Sequence, residues 1–167
     1  MSKDYGLGTP DIPPWIPDGE YHFKLVSHET VMKFGKPRVI LLMTVIDLGE
    51  YHGTALSCFR NVEKLKGKPR KKGGFVPSRG GDLLIELCKL MPDFNPRRDR
   101  ISLNRLYDKI IYARTKTVKH NNLKTKLPQQ LWWTKVDKLL QLRDEIPVRA
   151  FTKTITNTDT STNTITT

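Results

Sequence analysis

Eight consecutive residues, Val39-Ile40-Leu41-Leu42-Met43-Thr44-Val45-Ile46, constrain this chain more than any other segment. Only Thr44 interrupts their apolar character, and the run is far short of the roughly 20 residues a membrane helix needs. A strand that is apolar on both faces belongs inside a sheet with cover on each side. Val39–Ile46 therefore predicts a central strand packed on both faces. Upstream, Tyr21, Phe23 and Leu25 alternate with His22, Lys24 and Val26, the period of two that marks a strand. Lys33-Phe34-Gly35-Lys36-Pro37 supplies a turn between the two. Asp47–Gly53 bends the chain again, and Thr54–Arg60 reads as a third strand. Three successive strands with short connections predict an antiparallel meander.

The remaining segments divide into an arm, a body and a tail. Residues 1–18, with Pro10, Pro13, Pro14 and Pro17, form an N-terminal arm that Trp15 and Ile16 are expected to pin to the body. The body spans 19–143. After its third strand, six of the nine residues from Lys64 to Lys72 are cationic, and the glycines and proline there predict a flexible basic loop. Ser78 is placed to cap a helix carrying Leu83, Leu84, Leu87, Cys88 and Met91 on one face, with Pro92 as its stop. A short helical turn is expected at Leu103–Leu106. Lys109–Lys119 reads as a fourth strand, His120–Pro128 as a polar loop, and Leu131–Val136 as a fifth strand closed by a helical turn over Asp137–Leu142. Residues 144–167 form the tail. From Thr152 on, nine of sixteen residues are threonine, which predicts disorder, with strand addition to an exposed edge as the alternative.

Three strands, one helix between strands three and four, then two strands is the order of an oligonucleotide-binding (OB) fold, a five-stranded Greek-key barrel. A split ubiquitin-like or SH3-like barrel keeps the same ingredients. Lys and Arg number 29 against 17 Asp and Glu, a net charge of +12 that calls for a polyanionic partner, nucleic acid first among them. The N-terminal stretch has no apolar secretory core. Cys58 and Cys88 read as reduced core residues, so a cytoplasmic protein of a bacterial cell or phage-infected host, without membrane association, is expected.

Gly19-Glu20-Tyr21, Phe34-Gly35 and Gly49-Glu50-Tyr51-His52-Gly53 resemble the opening of small OB-fold proteins carried by phages, plasmids and integrative elements. The stretch Leu127–Asp137 is similar to their closing strand, and the resemblance spans roughly Gly19 to Leu142. It implies single-stranded DNA binding during replication, recombination or transfer of such an element. The threonine-rich tail, with almost no charge from Thr152 on, departs from the acidic tail by which cellular single-strand binders recruit partners.

Single strands are held by a cationic groove and by rings that stack on bases. In an OB barrel the loops joining strands one–two and four–five flank that groove. Lys33, Lys36 and Arg38 would line the first loop, and Lys116, Lys119, His120, Lys124 and Lys126 the second, with Arg114 beside it. Lys64, Lys66, Lys68, Arg70, Lys71 and Lys72, following Arg60, form a further cationic group, and Arg97, Arg98, Arg100 and Arg105 another. The candidate stacking rings are Phe34, Tyr51, Phe59, Tyr112 and Trp133; Trp133 shares parity with Lys135, whereas Trp132 shares it with Val136 and is expected inside. The four histidines have no metal-ligand spacing, so no metal and no cofactor are expected. No phosphate loop or nucleophile elbow occurs, and the protein is read as non-catalytic. Alternatives are an RNA-binding module on the same barrel and a nuclease using Asp47, Glu50 and His52 around Mg²⁺. Association along the strand into a dimer or filament, and contacts with replication or recombination proteins, complete the expected partners.

Overall fold

A fourteen-residue strand, β1 (Glu20–Lys33), organises the molecule. The computed structural model describes residues 13–93, 97–121 and 123–146; most of the arm and the threonine-rich tail lie outside the described residues. After β1 come β2 (Lys36–Val45), β3 (Ala55–Asn61), β4 (Lys64–Lys66), β5 (Gly74–Val76) and α1 (Asp82–Leu90). The short helix α2 (Asn104–Tyr107), β6 (Ile110–Val118) and β7 (Trp133–Arg143) complete the order, with single 3-10 turns at Arg98–Arg100 and Gln129–Leu131. The chain is mainly β. Five strands make one antiparallel sheet in the order β3-β2-β1-β6-β7, and β4 pairs with β5 in a separate ribbon. Among the described residues no helix is long and apolar enough to cross a membrane.

β1 outruns the alternation visible in its sequence because a bulge between Leu25 and Ser27 resets the period. Phe23 and Leu25 point inward before it, and the buried His28 and Thr30 after it. β2 corrects the opening expectation. Val39, Leu41, Met43 and Val45 are buried, but Ile40 and Leu42 on the other face are only half-buried. The middle of the sheet is β1, not β2. The outward apolar residues of β2 are flanked in register by Phe59 and Ser57 of β3 and by Glu29 and Ser27 of β1, with no second layer formed by these elements.

β7 extends where a helical turn was expected. Register shifts opposite Tyr112/Ala113 and Arg114/Thr115 leave Leu140 and Asp137 as extra residues on β7. Each shift reverses the parity, so Val136, Leu139 and Leu142 all face inward at a spacing that imitates a helix. In α1, Leu83, Leu84, Leu87 and Leu90 are buried while Cys88 is exposed, so Cys88 is not a core residue as expected. The helix starts at Gly81 without a side-chain cap; Ser78 instead accepts from Gly81 N through its carbonyl at 3.1 Å. Cys58 lies in the core as a free thiol, and burial pushes its pKa up to about 12.

The basic segment is not the flexible loop its composition suggested. Lys64–Lys66 and Gly74–Val76 pair, and the turn between them docks along β1. Thr30 N donates to Arg70 O at 2.9 Å and Lys72 N to His28 O at 2.7 Å, while Lys71 bridges to Glu29. Gly73 permits this approach, since a Cβ there would collide with Thr30 Oγ1. Backbone donors and acceptors of β1, left open where the β6 pairing stops at Lys24–Ile110, are thus satisfied by the loop.

The two outer strands, β3 and β7, are joined through side chains. Arg60 Nε and Nη2 donate to the two Glu86 carboxylate oxygens at 2.7 and 2.8 Å, and Nη2 also reaches Asp137 O at 2.7 Å. Glu86 accepts in addition from Leu139 N at 2.9 Å. Burial opposes the Arg60 charge, but the bonds to Glu86 and the charges nearby more than offset it, and the guanidinium pKa lies above its ordinary value. One carboxylate on α1 thereby holds both edges. Removing it strands a buried cation, so Glu86→Ala should cost about 3–5 kcal/mol in urea unfolding; a loss under 1 kcal/mol would contradict this role.

His28 gives the fold a pH dependence. Burial, and then the Lys72 charge, hold its pKa below the ordinary 6.5. The unfolded chain takes up this proton first, so the His28 contribution is complete above pH 6.5 and is lost as pH falls through the lower folded value. The melting temperature should drop between pH 7.5 and 5, and His28→Gln should shrink that drop. An identical drop in the variant would remove His28 as its source.

Candidate functional site

Where the end of β3 meets the start of β7, outward side chains enclose an open groove of about 530 Å³. Strand parity builds its aromatic wall. Phe59 alternates with the buried Cys58 and Arg60, and Trp133 precedes the buried Thr134. Their ring centroids lie 6.0 Å apart at 82°, an edge-to-face contact. Val118, the register partner of Trp133, extends the wall onto β6, and Ile40, opposite Phe59, continues the same face onto β2.

Cations ring this wall. Arg38 stands 6.0 Å over the Phe59 ring, and its Nε donates to Asn61 Oδ1 at 3.2 Å. Lys33 from the end of β1 and Lys135 from β7 line the groove as well. The turn before α1 closes one end, where Asp82 contributes a carboxylate. The sheet register sets like charges opposite one another: Lys33 pairs with Lys36, and Lys116 with Lys135. None of these four lysines forms an ion pair among the described residues. Like charges directly across a sheet destabilise it. A third such pair, Arg114 opposite Lys138, is relieved because Arg114 holds Glu20 at 3.0 Å.

Of the residues singled out from sequence, Lys33, Arg38, Phe59 and Trp133 line the groove, with Lys36 and Lys116 opposite its lysines. Lys135 belongs with them, two residues from Trp133 on the same face, a position that strand parity alone marks. Phe34 sits apart at the β1–β2 tip, 77% exposed, with φ at +53° beside Gly35 at +74°. Lys119, Lys124 and Lys126 lie in the β6–β7 connection, Lys119 Nζ resting 4.7 Å over the Trp132 ring.

Others are engaged within the fold or lie outside the groove. Arg60 backs the groove but its guanidinium is buried against Glu86. Tyr51 packs edge-on against Tyr21 at 6.4 Å, at the margin of the core. Tyr112 donates to Glu20 at 2.6 Å while the Arg143 guanidinium covers its ring at 4.3 Å, so neither its hydroxyl nor that face is free. The Glu20 bond and burial together raise its pKa. Lys64, Lys66, Lys68, Arg70, Lys71 and Lys72 are exposed but none lines the groove. Lys66 reaches the Asp99 carbonyl, and Lys72 lies 5.1 Å over Tyr107. Trp132 is half-buried outside the core, its Nε1 donating to Leu127 O at 3.0 Å.

Asp47 accepts from the His22 backbone and ring at 2.6 and 2.8 Å. Among the described residues no three His, Cys, Asp or Glu side chains gather as metal ligands would. The chain matches no family model, and no curated protein or solved structure is detectably similar to it.

Proposed function

We propose that this protein binds single-stranded DNA, without catalysis and largely independently of sequence, in the groove between β3 and β7. The observation that carries the reading is the pair of lysine–lysine juxtapositions, without ion-pair partners among the described residues, beside a half-buried aromatic wall. Such a face repels itself until a polyanion neutralises it, and the rings offer bases a surface that every sequence can use. The sheet is read as an OB barrel. Its order, β3-β2-β1-β6-β7, corresponds to strands three-two-one-four-five of that fold, and the Arg60–Glu86 contacts bring the outer strands together. On that reading the groove lies between the two flanking loops from which OB folds grip oligonucleotides. The resemblance of Gly19–Leu142 to OB proteins of phages, plasmids and integrative elements supports a role in replication, recombination or transfer of such an element, in the cytoplasm of its host.

Lys33, Lys36, Arg38, Lys119 and Lys135 would neutralise about five phosphates, for a slope of log K against log salt near −3.5. Lys33→Ala/Arg38→Ala/Lys135→Ala should flatten it to about −1.4. Phe59→Ala and Trp133→Ala should each weaken oligothymidylate binding by about 1–3 kcal/mol, read by fluorescence titration. Changing Lys68, Arg70, Lys71 and Lys72 together should alter the slope less than the groove triple does. A wild-type slope near zero would end this reading. Matched DNA and RNA oligomers in competition assign the sugar, and a preference for RNA would move the proposal to an RNA-binding module.

A further inference from the structure

A second, smaller aromatic recess lies outside the groove. Trp15 and Trp132 line a pocket of about 180 Å³ together with Gln129 and Gln130. Both indoles are anchored through their nitrogens, Trp15 Nε1 donating to Thr117 Oγ1 at 3.2 Å and Trp132 Nε1 to Leu127 O at 3.0 Å. The backbone around Trp15 is fixed too. Thr134 N donates to Pro14 O at 3.0 Å, while Ile16 N donates to Thr134 Oγ1 at 2.8 Å and Ile16 O accepts from it at 2.7 Å.

With the polar ends satisfied, what these residues present is ring surface. Trp15 is 49% exposed, although an indole in water forgoes roughly 25 cal/mol for every Å² of apolar surface left uncovered. Gln129 and Gln130 border the same pocket, and both are exposed residues whose amides carry the kind of donor and acceptor a base edge uses. Lys119 Nζ, 4.7 Å over Trp132, adds a positive charge. The recess also adjoins the groove along the chain. Lys119 follows Val118 just past the end of β6 and Trp132 precedes Trp133 just before β7, so one Cα step of about 3.8 Å links each pair where the strands end, although successive side chains turn to opposite sides.

We propose that the Trp15–Trp132 recess is a nucleobase subsite, taking one base of a single strand whose neighbouring nucleotides occupy the groove. The inference rests on the groove reading above. Gln129 and Gln130 bond the base edge, Trp15 and the Trp132 face away from Lys119 supply its stacking surface, and Lys119 meets the adjoining phosphate. Paired tryptophans also suit a proline-rich peptide, but the positive charge of Lys119 over Trp132 favours an anionic ligand.

The test uses the full chain with oligothymidylates carrying 5-iododeoxyuridine, photocrosslinked and mapped by mass spectrometry. Affinities of Trp15→Ala, Trp15→Phe and Gln129→Ala are measured alongside. Adducts are expected on Trp15 or Trp132 as well as in the groove. Trp15→Ala should lose about five- to a hundredfold in affinity for a long oligomer, with recovery in Trp15→Phe and no loss on an oligomer that fills the groove alone. Should Trp15→Ala melt below the wild type, Gln129→Ala, on an exposed turn, carries the same long-against-short comparison. Adducts confined to the groove, with full long-oligomer affinity in the variants, would overturn the subsite and leave the groove standing. So would displacement of no oligomer by, but tight binding of, a proline-rich peptide. Wild-type protein that binds no single strand would overturn both.

Discussion

The contact between Arg60 and Glu86 is the point on which the architecture turns. A meander of β1, β2 and β3 and the pair β6–β7 are both anchored on β1, and nothing in their ladders dictates how the two far edges meet. Glu86, projecting from α1, binds the β3 guanidinium and a β7 amide with the same carboxylate. Both partners are nearly buried, so the charge would be costly in isolation and is tolerable because each polar atom has a partner. The groove depends on this arrangement directly. Phe59 precedes Arg60 and Trp133 lies on the strand whose Asp137 carbonyl Arg60 grips, so the clasp that fixes the edges also fixes the distance between the rings.

Much of the sheet was legible because alternation is a local signal. Tyr21–Leu25 carries it plainly, Val39–Ile46 is marked by its apolar run and Thr54–Arg60 by the turn before it, and the observed strands cover those segments with shifted ends. Bulges defeated the reading elsewhere. The extra residue near Val26 hid the second half of β1, and those at Asp137 and Leu140 gave β7 a helical rhythm. The ordered basic turn was hidden for a different reason. Its structure comes from β1 backbone groups some forty residues away, which composition does not encode.

The site was partly legible for the same cause. Parity alone separates Trp133 and Lys135 from Thr134 and Val136. Applied to β3, it would have grouped Arg60 with Leu56 and Cys58 and sent it inward, whereas its charge had suggested the surface. Tyr112 and Arg114 face outward yet are engaged by Glu20, a residue far away in sequence. Which exposed cations remain uncompensated is set by register, and register is where local sequence carries least.

Side-chain bridging of the outer strands has a further consequence for how copies of this molecule behave together. A bare sheet margin is a template on which another polypeptide can hydrogen-bond, and natural sheets guard against it. Here the Leu139 amide and the Asp137 carbonyl are already occupied by Glu86 and Arg60, at the bulged stretch where β7 also bends. An incoming extended segment would find these backbone groups taken and the line of the strand broken. Self-association by strand exchange is thus discouraged at the very seam that shapes the groove.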